Sequence, residues 1–170
     1  MRRCTTCKRY FSLNFFYKRK NTREGLSVQC KKCESAATSK YSNTEKGFLI
    51  RLYLRINSRT KHQRFKGLSE KEKDKHRCYV TRKEFFDLWE EHKLKYGYKC
   101  ALTEEIIVHK TTTKELTNKS NSISVDRLNP EIGYTKENII FVSNKVNNMK
   151  NAVTKELCIA IVRAHEERNW

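Results

Sequence analysis

Two Cys-x-x-Cys pairs constrain this chain more than any other feature. Cys4 and Cys7 form the first and Cys30 and Cys33 the second, with 22 residues between them. Each pair can present two thiols from one tight turn, and two such turns supply the four sulfurs of a tetrahedral ion. The spacing predicts a structural Zn²⁺ held by Cys4, Cys7, Cys30 and Cys33. Two disulfides or free thiols are the alternatives, but disulfides need an oxidising compartment, which nothing in the sequence suggests. Between the pairs lie Tyr10, Phe11, Phe15, Phe16 and Tyr17, enough apolar area for a miniature core, and Gly25 allows a turn. Four cysteines leave the ion no open position, so it would hold the fold and do no chemistry. Cys78, Cys100 and Cys158 make no such pair and read as small buried apolar residues.

Charge narrows the partners. Lys and Arg number 37 against 19 Asp and Glu, a formal charge of +18. A four-thiolate zinc site lowers this by about two. The remainder suits salt-sensitive phosphate binding, although solubility alone also favours high charge. Residues 1–34 hold ten Lys or Arg against Glu24 and Glu34. Arg51, Arg55 and Arg59 recur every four residues, opposite a stripe of Leu49, Leu52, Tyr53 and Ile56. This pattern predicts a basic amphipathic helix and flexible tail over residues 44–66. Arg51, Arg55, Arg59, Lys61 and Arg64 are its candidate phosphate contacts; a merely solvated face is the alternative.

Ser69-x-x-Glu72 and Thr81-x-x-Glu84 match capping boxes, and the second opens a core helix with Phe85, Leu88, Trp89 and His92. A last helix is expected from Thr154, with Leu157, Ala160, Ile161 and Ala164 on one face. His109 to Ser122 reads as loop. No apolar run reaches membrane-spanning length, and the basic N-terminus lacks an apolar signal core. An intracellular, reducing compartment is the expectation.

The segment Ser122–Asn151 carries the chemistry. Ile123 and Val125 alternate with Ser124 and Asp126, as in a half-buried strand. Asn129-Pro130 and Gly133 break it, Ile139 to Val142 forms a second strand, and Ser143 can cap a helix. On that helix Asn144, Asn147, Asn148 and Asn151 share a face. Asparagine is a mediocre helix former, so the face is either solvated or turned toward a polar site. A carboxylate (Asp126) facing an amide (Asn147) makes a seat for a divalent ion that would bind phosphate.

These residues resemble the ββα-metal core of the HNH endonucleases. The matching positions are Ser124, Asp126, Arg127, Leu128, Gly133-Tyr134-Thr135, Glu137-Asn138, Ile139 to Val142 and Asn147 to Asn151, with Gly97 to Thr103 resembling the start of that domain. The resemblance covers residues 79–155. It implies Asp126 and Asn147 as ligands of catalytic Mg²⁺ or Mn²⁺ and Asn138 as a structural loop residue. The best-known members have His after the Asp, where this chain has Arg127. Arginine cannot act as a base, so Arg127 would hold a phosphate, pair with a carboxylate or brace the hairpin. His109 is the nearest candidate base, an imidazole suited to proton transfer near neutrality; an exposed histidine at a loop edge is the alternative. The cysteine segment resembles the short treble-clef or ribbon-like zinc modules that precede such domains in phage and large-virus proteins.

The sequence therefore predicts an α+β chain: a zinc module (1–36), a basic helical linker (37–78) and an HNH-like domain (79–170) with flanking helices. The expected function is metal-dependent hydrolysis of phosphodiesters in double-stranded DNA, of nicking or homing type, by a monomer or homodimer. If viral, it would work in the host cytoplasm or nucleus. A catalytically inactive, zinc-containing nucleic-acid-binding protein is the alternative.

Overall fold

The computed structural model describes residues 1–109 and 119–152, with Cys158, Ile159, Val162, Arg163 and Glu166 beyond them. Most of the helix expected from Thr154 and most of the loop after His109 therefore lie outside the described residues. The chain divides into two units, Met1–Gly47 and Phe48–Trp170. Helices and small two-stranded sheets make it α+β.

In the N-terminal unit, β1 (Arg2–Arg3) pairs antiparallel with β2 (Tyr10–Phe11). The turn between them carries Cys4 and Cys7, and Lys8 adopts a left-handed φ of 62° to close it. The second hairpin joins β3 (Phe16–Lys18) and β4 (Leu26–Cys30). Helix α1 (Lys31–Ser42) starts directly after β4, with Cys30 as its N-cap residue. Cys4, Phe16 and Cys30 are the buried cluster here, flanked by Phe11, Leu26 and Cys33. So small a core is marginal without a cross-link or an ion.

The C-terminal unit has a larger core. α2 (Glu45–Asn57) gives it Phe48, Leu49, Leu52 and Ile56, so the helix read as a linker is a core element from Phe48 onward. The α-helix ends at Asn57, short of residue 66. Two 3-10 turns follow, Arg59–Lys61 and Gln63–Phe65. Phe65 is 5% exposed and packs on His76, which anchors a stretch expected to be a flexible tail.

Both capping boxes form, at Ser69 before α3 (Glu70–Asp74) and at Thr81 before α4 (Arg82–Tyr96). Phe85 and Trp89 of α4 pack edge-on against Phe141, with ring centroids 5.5 and 5.0 Å away. Gly97 closes α4 at φ 64°, a conformation costly for other residues.

β5 (Ile123–Arg127) and β6 (Ile139–Ser143) pair antiparallel, Asp126 opposite Ile140. α5 (Asn144–Ala152) follows at once, and Ser143 Oγ accepts from the Val146 amide as a cap. In the connection between the strands, a Cβ on Gly133 would lie 2.6 Å from the Arg77 carbonyl oxygen, so only glycine permits that approach. The next residue, Tyr134, donates its amide to the same carbonyl at 2.8 Å and is buried.

Candidate functional site

The ligand atoms of Cys4, Cys7, Cys30 and Cys33 all lie within 4.8 Å of one another. A Zn–S distance of about 2.3 Å puts tetrahedral sulfurs about 3.8 Å apart, so the cluster fits a metal of that size. The Cys30 amide points at the Cys4 sulfur (3.3 Å) and, as the main cause, lowers that thiol to about 6. Cys33 goes the other way, to about 12, chiefly through its hydrogen bond with Cys30. Four thiolates cannot share this space without a cation, and a metal ion supplies the missing positive charge. The cluster can therefore hold a metal.

The second site is a polar cleft in the C-terminal unit, lined on one side by Leu52, Arg55, Ile56 and Arg59. Ser124, Val125, Asp126 and Arg127 of β5, Tyr134, and Asn144, Asn147 and Asn148 of α5 complete it. Strand alternation puts Ser124 and Asp126 on the same face of β5. Asn147 donates from Nδ2 to Ser124 Oγ (2.7 Å) and to the Val125 carbonyl (3.1 Å), tying α5 to β5. Asp126 and Asn147 thus meet in one cleft.

Lys150 enters this arrangement and was missed. Its Nζ lies 2.9 Å from Asp126 Oδ2. The angle is poor, however, and Oδ2 is buried without a hydrogen bond; the ammonium donates instead to the Arg127 carbonyl at 2.6 Å. The interaction is charge pairing and not a shared proton. The signal was available: Lys150 stands three residues after Asn147 and so shares its face of α5.

Arg127 braces the hairpin. Its Nη1 donates to the carbonyls of Lys75, Pro130 (2.9 Å) and Ile132 (3.4 Å), and the guanidinium lies 5.3 Å from the Tyr134 ring centroid. Arg59 approaches the same ring and donates to its hydroxyl. Asn138 is buried in the loop: Oδ1 accepts from the Asn129 amide (2.7 Å), and Nδ2 faces the carbonyls of Asn129, Ile132 and Gly133. His109 is half-buried just after the bridge between Val108 and Ser122, and does not line the cleft. Of the five expected phosphate contacts, Arg55 and Arg59 line it. Arg51 is exposed over the Phe48 ring and Lys61 is exposed, while the side chain of Arg64 lies outside the described residues.

Cys158, expected to be buried, is exposed; Cys100 is buried, and Cys78 is half-buried with its thiol pushed up by burial. His92 is buried too; it stacks on Trp89 and bonds through Nε2 to the Lys99 carbonyl at 2.9 Å. Cys78, Cys100 and His92 are core residues.

A family model described as thiamine biosynthesis protein (ThiI) matches residues 8–169. The chain belongs to that family. No curated protein and no solved structure was found to match it. The ThiI match spans both units, whereas the endonuclease resemblance rested on short motifs within residues 79–155. It overturns the assignment to the HNH endonucleases, together with DNA hydrolysis, the nicking or homing role and the viral setting. Nor does it support the inactive binding protein offered as the alternative. Short strand–turn–strand–helix motifs report local packing that unrelated activities can share. Among the described residues, no helix is long and apolar enough to cross a membrane.

Proposed function

We propose that this ThiI-family chain serves thiamine biosynthesis and the thiolation of transfer RNA associated with it, and that its polar cleft holds the RNA. The observation that carries this reading is the cleft, where Arg55 and Arg59 face Asn144, Asn147 and Asn148 on a chain of charge +18. Guanidinium groups donate to phosphate oxygens in fixed fork geometry, and asparagine amides both donate and accept. Lys150 offsets the Asp126 carboxylate, which would otherwise repel a phosphate approaching the cleft. The cysteines outside the metal cluster that lie in the core, Cys78 and Cys100, are poorly placed to carry sulfur. The proposal assigns the RNA to the cleft.

The ion in the N-terminal cluster is Zn²⁺ in this reading. An all-thiolate tetrahedral donor set favours it, and its role there is to cross-link two hairpins and a helix. When bound, it supplies cohesion and no reaction chemistry.

Fluorescence anisotropy with transfer RNA over a salt series tests the proposal. Affinity should fall linearly on a log–log scale, and Arg55→Ala should lower the slope by about one. Duplex DNA should bind more weakly than the RNA at equal salt. Salt-independent binding, or an Arg55→Ala slope equal to that of the parent, refutes the cleft as the RNA site. Expression in a thiamine-requiring strain lacking its own family member tests the pathway: growth without thiamine is expected, and none refutes the pathway role.

A further inference from the structure

The N-terminal unit carries a feature that neither the metal site nor the cleft explains. Four of its large side chains are turned outward: Tyr10 is 63% exposed, Leu13 54%, Phe15 51% and Tyr17 45%. Exposed aromatics on a module with so small a core forgo burial that it could use. Leu13, Tyr17 and Leu26 line one shallow groove, and Lys18 and Lys31 stand beside them. Lys31 Nζ lies 5.5 Å from the Tyr17 ring centroid.

The surrounding charge selects the occupant. Residues 1–47 hold twelve Lys or Arg and three carboxylates, Glu24, Glu34 and Glu45. Glu24 is paired with Arg2 and Glu34 with Arg19. An apolar ligand without charge would have no use for the remaining cations, and an acidic peptide would have no use for the exposed Tyr17 ring. A nucleotide uses both, with a flat base for the ring and a phosphate for the ammonium groups.

We infer that this groove, built from Leu13, Tyr17, Lys18 and Lys31, is a stacking seat for an unpaired base of single-stranded RNA. It rests on the RNA-binding reading above and adds a second contact, specific for strand state. The base lies on the Tyr17 ring in place of the Lys31 ammonium, which swings to the flanking phosphate. This exchange is favourable, because stacking a base on an exposed ring outweighs a solvent-exposed cation–π contact. In a duplex the bases are stacked on each other and cannot reach the groove. Every base has a π-face, so the seat prefers single strands without preferring a sequence.

The test uses the full zinc-loaded chain, a short single-stranded RNA with an internal 2-aminopurine, and a blunt RNA duplex. The parent should quench the 2-aminopurine on binding. Tyr17→Ala should lose that quench and bind the single strand about tenfold more weakly, with duplex affinity unchanged. Tyr17→Phe should keep both. Zinc content equal to that of the parent shows that the module of each variant is folded. Equal loss on both RNAs, or no loss on either, overturns the stacking seat while leaving RNA binding in place. Absence of salt-sensitive binding to either RNA by the parent instead removes the underlying reading, and the seat with it.

Discussion

Replacing Asn138 by alanine should destabilise the C-terminal unit by about 2–4 kcal/mol. The side chain is 5% exposed and meets four backbone groups of one loop. Each of the three carbonyls keeps another donor, the Ile132 amide for Asn129, Arg127 for Ile132 and the Thr135 amide for Gly133, and Asn129 is exposed, so its freed amide can turn to water. The loss is therefore the net value of four hydrogen bonds, about 0.5–1 kcal/mol each. At about 3 °C per kcal/mol for a domain of this size, the midpoint falls by about 6–12 °C. Trp89 is fully buried in this unit, so tryptophan fluorescence during urea or thermal unfolding follows the transition. Asn138→Asp sharpens the test. It keeps the acceptor for the Asn129 amide but turns a second acceptor toward three carbonyls, so it should be no more stable than the alanine variant. A loss below about 0.5 kcal/mol for alanine, or a clear advantage for aspartate, would refute the claim that the Nδ2 donor holds this loop.

Three further outcomes are expected. Lys150→Met leaves the Asp126 carboxylate, 15% exposed, without its counter-charge and should cost about 1–3 kcal/mol, largely restored by adding Asp126→Asn; additive losses in urea unfolding would deny the pairing. Glu84 is held at about 2 by Lys136 first and by the Thr81 cap second, so its folded value lies below the ordinary 4.5. Its contribution is complete above about 4.5 and lost as pH falls through about 2; Glu84→Gln should flatten this part of an acid titration, and an unchanged profile would count against it. Cys33→Ser should abolish stoichiometric zinc by elemental analysis and the fold of the N-terminal unit, while the Trp89 transition persists. Full zinc retention in that variant would show that the ion does not use all four thiols.

The four-cysteine cluster was legible because Cys-x-x-Cys is a local geometry, and local geometry survives whatever the remaining chain does. The two capping boxes and the β5–turn–β6–α5 order were legible for the same reason. The family was not. Motifs of a few residues within 79–155 led to nuclease chemistry, whereas the family match rests on residues 8–169 taken together. Arg127 shows the limit at one position. Its sequence neighbours left three roles open, and contact with the Lys75 carbonyl, 52 residues away, makes it a brace. The Asp126–Lys150 pair likewise needs the hairpin and helix to pack before its geometry exists.

Sequence alone determined where the four clustered thiols sit, which helices are capped, which strands alternate and how basic the molecule is. Each depends on covalent spacing or composition. Tertiary structure decided which of the five cationic candidates line the cleft and what Arg127 holds. Those depend on side chains distant in sequence competing for the same space, and periodicity along one strand or helix carries no record of that competition.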